Sequence, residues 1–106
     1  MKVVEVNWVI HPFRGDKFEE AWLPAAASVL DYGASAWAFF RSQADPLHFT
    51  QLAYFDTTLD WERYWYSEEI ADARSRVIDW FVKPVTPVWY TVVDAGARER
   101  PALTSR

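Results

Sequence analysis

The sequence predicts an α+β fold in which a four-stranded antiparallel sheet carries its helices on one face. Three observations point there. The elements read in the order strand, helix, strand, strand, helix, strand. The two middle strands are joined by a few turn-forming residues, as in a hairpin. The remaining connections are long enough to hold a helix each. Composition agrees with a single folded domain: 106 residues, 51% hydrophobic and 18% aromatic, with seven tryptophans. The domain is expected over residues 1–94.

Residues 3–10 alternate in side-chain direction. Val3, Glu5, Asn7 and Val9 share one face of a strand, and Val4, Val6, Trp8 and Ile10 share the other. The second face is wholly apolar. The expectation is nevertheless that the Glu5/Asn7 face meets the helices across a cavity, while Trp8 lies on the far face. His11-Pro12 ends the strand, since proline donates no ladder hydrogen bond.

A helix opens at Gly15-Asp16, with Asp16 as N-cap and Glu19 as its capping-box partner. Phe18, Trp22, Ala25, Ala26 and Val29 follow at helical spacing, and Gly33 is the C-terminal stop. Pro24 conflicts with a continuous helix, because it removes one backbone bond. Either the helix kinks there or a new segment starts near Leu23.

Residues 35–42 and 48–55 read as strands around the turn Gln43-Ala44-Asp45-Pro46. On the second of them His48, Thr50, Leu52 and Tyr54 share one face, and Phe49, Gln51, Ala53 and Phe55 share the other. Asp56-Thr57-Thr58 caps a short helix carrying Trp61, Tyr64 and Trp65. Ser67 caps the next helix, with Glu68 and Glu69 in its first turn. That helix is expected to align Ile70, Ala73, Val77, Ile78 and Phe81 on one stripe and to stop at Pro84. Residues 88–93 form the last strand. Residues 95–106 read as a frayed tail.

This order is the ferredoxin-like βαββαβ pattern. Helices cover one sheet face only, yet three of the four strands look apolar on both. The far face therefore calls for a second sheet, and a homodimer is expected through it.

Several function classes drop out. With no cysteine there is no disulfide framework, thiolate metal site or cysteine nucleophile. A net charge of −4 and a pI of about 5.0 argue against a nucleic-acid partner. No run approaches the ~20 apolar residues of a membrane helix. Residues 1–10 contain Glu5 and Asn7 and no signal-cleavage pattern, so a cytoplasmic location is the default expectation. With three glycines there is no phosphate-cradling loop.

The candidate site residues carry two readings each. Asn7 and Glu5 are either structural partners at the sheet or polar anchors for a substrate carbonyl or phenol. Trp61, Tyr64 and Trp65 are either core aromatics or the wall of a pocket for a flat ligand. Arg41 either pairs with surface acids or reaches a ligand carboxylate. His48 is either an exposed hairpin residue or a general base lacking a visible orienting neighbour. His11 reads the same way, and two isolated histidines do not make a metal site. Arg74 and Arg76 read as solvated charges or salt-bridge partners.

With these residues in view, the chain resembles the dimeric α+β barrel superfamily, and within it the antibiotic-biosynthesis-monooxygenase-like group. The resemblance spans about residues 2–94. It rests on the element order, on VVEVNWV in the first strand and on TTLDWERYWYSEEIADAR. The superfamily includes cofactor-free oxygenases of aromatic polyketides, haem-degrading enzymes, cyclases and isomerases. The resemblance implies a cavity between sheet and helices lined by Asn7 and Trp65, which match the asparagine and tryptophan of those relatives by element and order. Haem-degrading members place a histidine ligand on the second helix after the tryptophan; here Arg74 stands near that place, so haem ligation of that kind is not expected.

The expected function is monooxygenase-like oxidation of a small aromatic or polyketide-like molecule, with no bound cofactor. The substrate would supply the electrons, Trp65 would orient its ring and Asn7 would stabilise the oxyanion. The alternatives are a cyclase or isomerase using Glu5 or His48 for proton transfer, and a binding protein without chemistry.

Overall fold

In a computed structural model the structure is described for residues 1–98. Strand β1 (Lys2–Val9) is followed by helix α1 (Gly15–Ala27), β2 (Ala36–Arg41), β3 (His48–Phe55), α2 (Thr58–Trp65), α3 (Glu68–Val77) and β4 (Val88–Thr91). The sheet order is β2-β3-β1-β4, and every neighbouring pair is antiparallel. The ferredoxin-like order is thus present, with the second helix divided in two. No helix among the described residues is long and apolar enough to cross a membrane. Of the expected tail, 95–98 carry no regular structure and 99–106 lie outside the described residues.

The expected facing of β1 is reversed. Val4, Val6, Trp8 and Ile10 are the helix-covered residues, each at most 1% exposed. Glu5 and Asn7 lie on the open face of the sheet with Val3 and Val9. The reason is energetic. Burying a tryptophan and three branched aliphatics under the helices gains roughly 1.5–3 kcal/mol per side chain, whereas burying Glu5 would desolvate a charge. The same parity holds on β3, where Phe49, Gln51, Ala53 and Phe55 face inward.

Helix α1 presents Phe18, Trp22, Ala25 and Ala26 to the sheet. Its N-terminus differs from expectation. Arg14 occupies the N-cap position without a side-chain cap bond, and Asp16 lies inside the first turn, paired with Arg41 instead. Pro24 neither breaks nor restarts the helix. Glu20 and Pro24 are both exposed, so the carbonyl that loses its partner stands on the solvent side. The chain passes into a 3₁₀ turn at Ser28–Tyr32, closed by Gly33 at φ 96°.

The caps on the second helical region follow the sequence. Thr57 Oγ1 accepts from the Asp60 N–H at 3.3 Å, and Ser67 Oγ accepts from the Ile70 N–H at 3.2 Å. The stripe expected to reach Phe81 ends earlier. Helix α3 stops at Val77, a 3₁₀ turn covers Ile78–Trp80, and Phe81 forms an isolated bridge with Ile10. Val82 N–H to the Val9 carbonyl at 2.8 Å and His11 N–H to the Trp80 carbonyl at 2.9 Å tie this segment to the end of β1. These bonds carry Phe81 off the helix and across the mouth of the layer between sheet and helices.

The core is aromatic. Trp8 meets Phe18 and Trp22, each at 5.3 Å between ring centroids. One buried polar chain runs through it. Trp22 Nε1 donates to Gln51 Oε1 at 2.8 Å, Gln51 Nε2 donates to the Tyr64 hydroxyl at 3.3 Å, and that hydroxyl donates to the Ala25 carbonyl at 2.7 Å. Burial in this place pushes the Tyr64 phenol well above its usual range.

Candidate functional site

A cavity of about 230 Å³ opens between the end of β1, helices α2 and α3, and the segment after α3. Trp8 and Trp65 supply two aromatic walls. Ile78, Phe81, Pro84 and Val85 close it with apolar surface, and Arg74 brings the one charged side chain among the described lining residues. The bonds that hold residues 80–82 to β1 position this lid-side wall.

Trp65 is set by the geometry of α2. Four residues after Trp61, it stacks on that ring at 5.0 Å and 20°, and it meets Trp22 edge-on at 6.2 Å. It is 6% exposed, with its free side turned to the cavity. Arg74 reaches back from α3. Its Nη2 donates to the Trp65 carbonyl at 3.0 Å, and its guanidinium carbon lies 4.6 Å from the Trp65 ring centroid and 5.6 Å from that of Tyr66. Its Nε is buried and has no hydrogen-bond partner among the described residues.

Of the residues singled out from sequence, the structure brings only Trp65 to this cavity. Asn7 is a correction of placement. It stands on the opposite sheet face, paired in register with Thr50, whose Oγ1 donates to Asn7 Oδ1 at 2.6 Å. Strand parity is the cause, because Trp8 occupies the inward position next to it. Glu5 shares that open face, where its Oε1 accepts from the Tyr90 hydroxyl at 2.9 Å and holds that phenol above its ordinary range. His48 also lies on the open face, opposite Val9. Arg41 is committed elsewhere: it pairs with Asp16 at 2.7 Å and Glu19 at 3.2 Å, and donates to the Pro46 carbonyl at 2.6 Å. Tyr64 is fully buried in the polar chain described above. Trp61 backs Trp65 from behind and borders a separate shallow groove with Trp89.

Sequence reasoning missed Trp8, Phe81 and Arg74. The wholly apolar face of β1 was the available signal for Trp8. For Arg74 the available signal was its place after the tryptophan, where the resemblance puts a ligand in haem-degrading members; its charge alone read as solvated.

The chain has a ferredoxin-like α+β fold with an aromatic-lined cavity between sheet and helices, and that fold is shared with solved structures described as antibiotic biosynthesis monooxygenases. Among solved structures, the chain is similar to a candidate antibiotic biosynthesis monooxygenase from Nitrosomonas europaea. The two share 21% identity over 89% of this chain and 100% of that one, with a TM-score of 0.82. A candidate of the same name from Deinococcus radiodurans gives a TM-score of 0.78 at 12% identity, over 94% and 100% of the chains. A variant of SnoaB, a cofactor-independent oxygenase from Streptomyces nogalater, gives 0.73 at 14% identity, over 89% and 95%. These likenesses are of fold. No protein-family profile and no curated protein sequence matches the chain.

Proposed function

We propose that this protein oxidises a small, flat aromatic molecule with molecular oxygen in the Trp8–Trp65 cavity, in the manner of a monooxygenase. The observation that carries the reading is the cavity's construction: two indole walls and an apolar surround, which suit an aromatic ring. The likeness in fold to a cofactor-independent oxygenase supports the choice of reaction.

The chemistry balances without a further reductant for a phenol taken to a quinone. One oxygen atom of O₂ becomes the new carbonyl, the other leaves as water, and the substrate supplies all the electrons. The protein's part is to hold the ring against Trp65, exclude solvent and stabilise negative charge on the phenolic oxygen. Asn7 and Glu5 lie across the sheet from the cavity and take no part.

A cyclase or isomerase reading loses its residues. Neither Glu5 nor His48 reaches the cavity, and its described lining holds no carboxylate or imidazole. The open face, with Val3, Val9, Leu52, Tyr54 and the 48% exposed Phe40, supports the proposed homodimer.

The test is oxygen uptake with a panel of phenols and hydroxynaphthalenes, followed by mass analysis of products made under ¹⁸O₂. One labelled oxygen atom per product is expected. Saturable binding of the same panel without uptake would make this a binding protein.

A further inference from the structure

The chain is acidic, at −4 overall, yet its aromatic cavity is lined by a cation with no ion-pair partner among the described residues. The ion pairs among the described residues belong to Arg41 and Arg63. Arg74 has none. The Trp65 carbonyl accepts a hydrogen bond from Nη2, and the guanidinium carbon lies over the rings of Trp65 and Tyr66. Its buried Nε–H has no partner among the described residues.

A guanidinium does not escape burial by losing its proton. A buried donor left unpaired lowers stability, and charge in an apolar pocket is screened less than in water. A purely structural role, bracing Trp65, accounts for Nη2 and for the stacking. It leaves the charge, carried by a half-buried side chain at the cavity wall, without an anionic partner among the described residues. The same features describe a preorganised anion site, since the side chain is already held and has little freedom left to lose on binding.

We propose that Arg74 anchors an anionic oxygen of the ligand, a carboxylate or a phenolate, so that the cavity selects flat aromatic anions over their neutral counterparts. The inference rests on the reading of the cavity as a ligand site and is independent of the oxygen chemistry.

The experiment is isothermal titration calorimetry of the intact chain with 2-naphthoate and with 2-naphthamide, which has a similar shape and no charge. Naphthoate is expected to bind about ten- to a hundredfold more tightly, the range of a charge-assisted hydrogen bond. Arg74→Gln should remove that preference and Arg74→Lys should retain part of it, with folding checked by circular dichroism. A 4-nitrophenol titration separates the two sources, because only its anion is yellow. Held phenolate appears as colour at a pH where the free phenol is largely protonated, whereas naphthoate selectivity without that colour assigns the site to carboxylates.

Equal affinity for naphthoate and naphthamide, with no coloured anion, overturns the proposal; so does a preference that survives in folded Arg74→Gln. The wild-type probe pair decides the matter even where a variant does not fold. Arg74-dependent naphthoate binding without oxygen uptake leaves the anion site standing and removes the oxidation reading. Uptake on phenols with no charge preference does the reverse.

Discussion

The Trp61 and Trp65 rings lie nearly parallel on α2, with centroids 5.0 Å apart and planes 20° from each other. Trp61 backs Trp65, and Trp65 is both nearly buried and part of a cavity wall, so substitutions at Trp65 act on stability and on binding together. Trp65→Ala is expected to lower stability by about 3 kcal/mol, through lost burial and an enlarged void. Trp65→Phe should cost about 1 kcal/mol and keep part of the wall. Urea unfolding gives the first quantity and ligand titration the second; an alanine variant with unchanged aromatic affinity would remove Trp65 from the site.

Tyr64 makes the opposite prediction, a stability effect without a binding effect. Tyr64→Phe removes the acceptor for Gln51 Nε2 and one of the two side-chain hydrogen bonds on the Ala25 carbonyl, which keeps the bond from Ser28 Oγ at 2.8 Å, at about 1–3 kcal/mol. Ligand affinity in the cavity should not change.

The same residue gives a pH dependence. Burial raises the folded-state phenol pKa above its ordinary value of 10.0, so above that pH the native state binds more protons than the unfolded chain. The contribution is fully present below about pH 10 and is lost as pH rises through the folded-state value. Denaturation midpoints between pH 8 and roughly 11, near the phenol range, should fall at the alkaline end, and less steeply in Tyr64→Phe. Equal slopes in the two proteins would mean that Tyr64 ionises freely.

Asn7→Ala removes one partly buried hydrogen bond to Thr50 on the open face. Stability should fall by about 1 kcal/mol, with no change in ligand affinity, because the sheet separates Asn7 from the cavity. A large loss of binding in a well-folded variant would place the ligand on the other side of the sheet.

The open face predicts self-association. Light scattering after size exclusion should give near twice 12.4 kDa. Leu52→Glu, on the central strand β3, should shift the protein to monomer while the helix-side core and its circular dichroism persist. A monomeric wild type at micromolar concentration would leave that face for another use.

Much of the fold was legible because local signals and global structure agree. Thr57 and Ser67 announce the starts of α2 and α3 with caps that the structure forms. Gly33 supplies the left-handed stop after the first helical segment, and the alternation on β3 is reproduced residue by residue. The first helix misled at its start, since Asp16 has the right chemistry for a cap but lies inside the first turn, where its exposed carboxylate pairs with Arg41. Phe81 continues the helical spacing on paper, yet β1 offers its segment backbone bonds that a further helical turn would forgo.

The sequence by itself determined the element order and which residues of each strand travel together, because a period of two is a property of the extended backbone. It also determined that the interior would be aromatic. Only the tertiary structure decided which face of β1 lies inside, for alternation sorts residues into two sets without naming the covered one. That choice carried Asn7 out of the candidate site and Trp8 into it. Arg74 became a site residue for the same reason. Its charge is written in the chain, but whether that charge meets water, a carboxylate or an apolar pocket depends on what α2, β1 and the segment after α3 place around it.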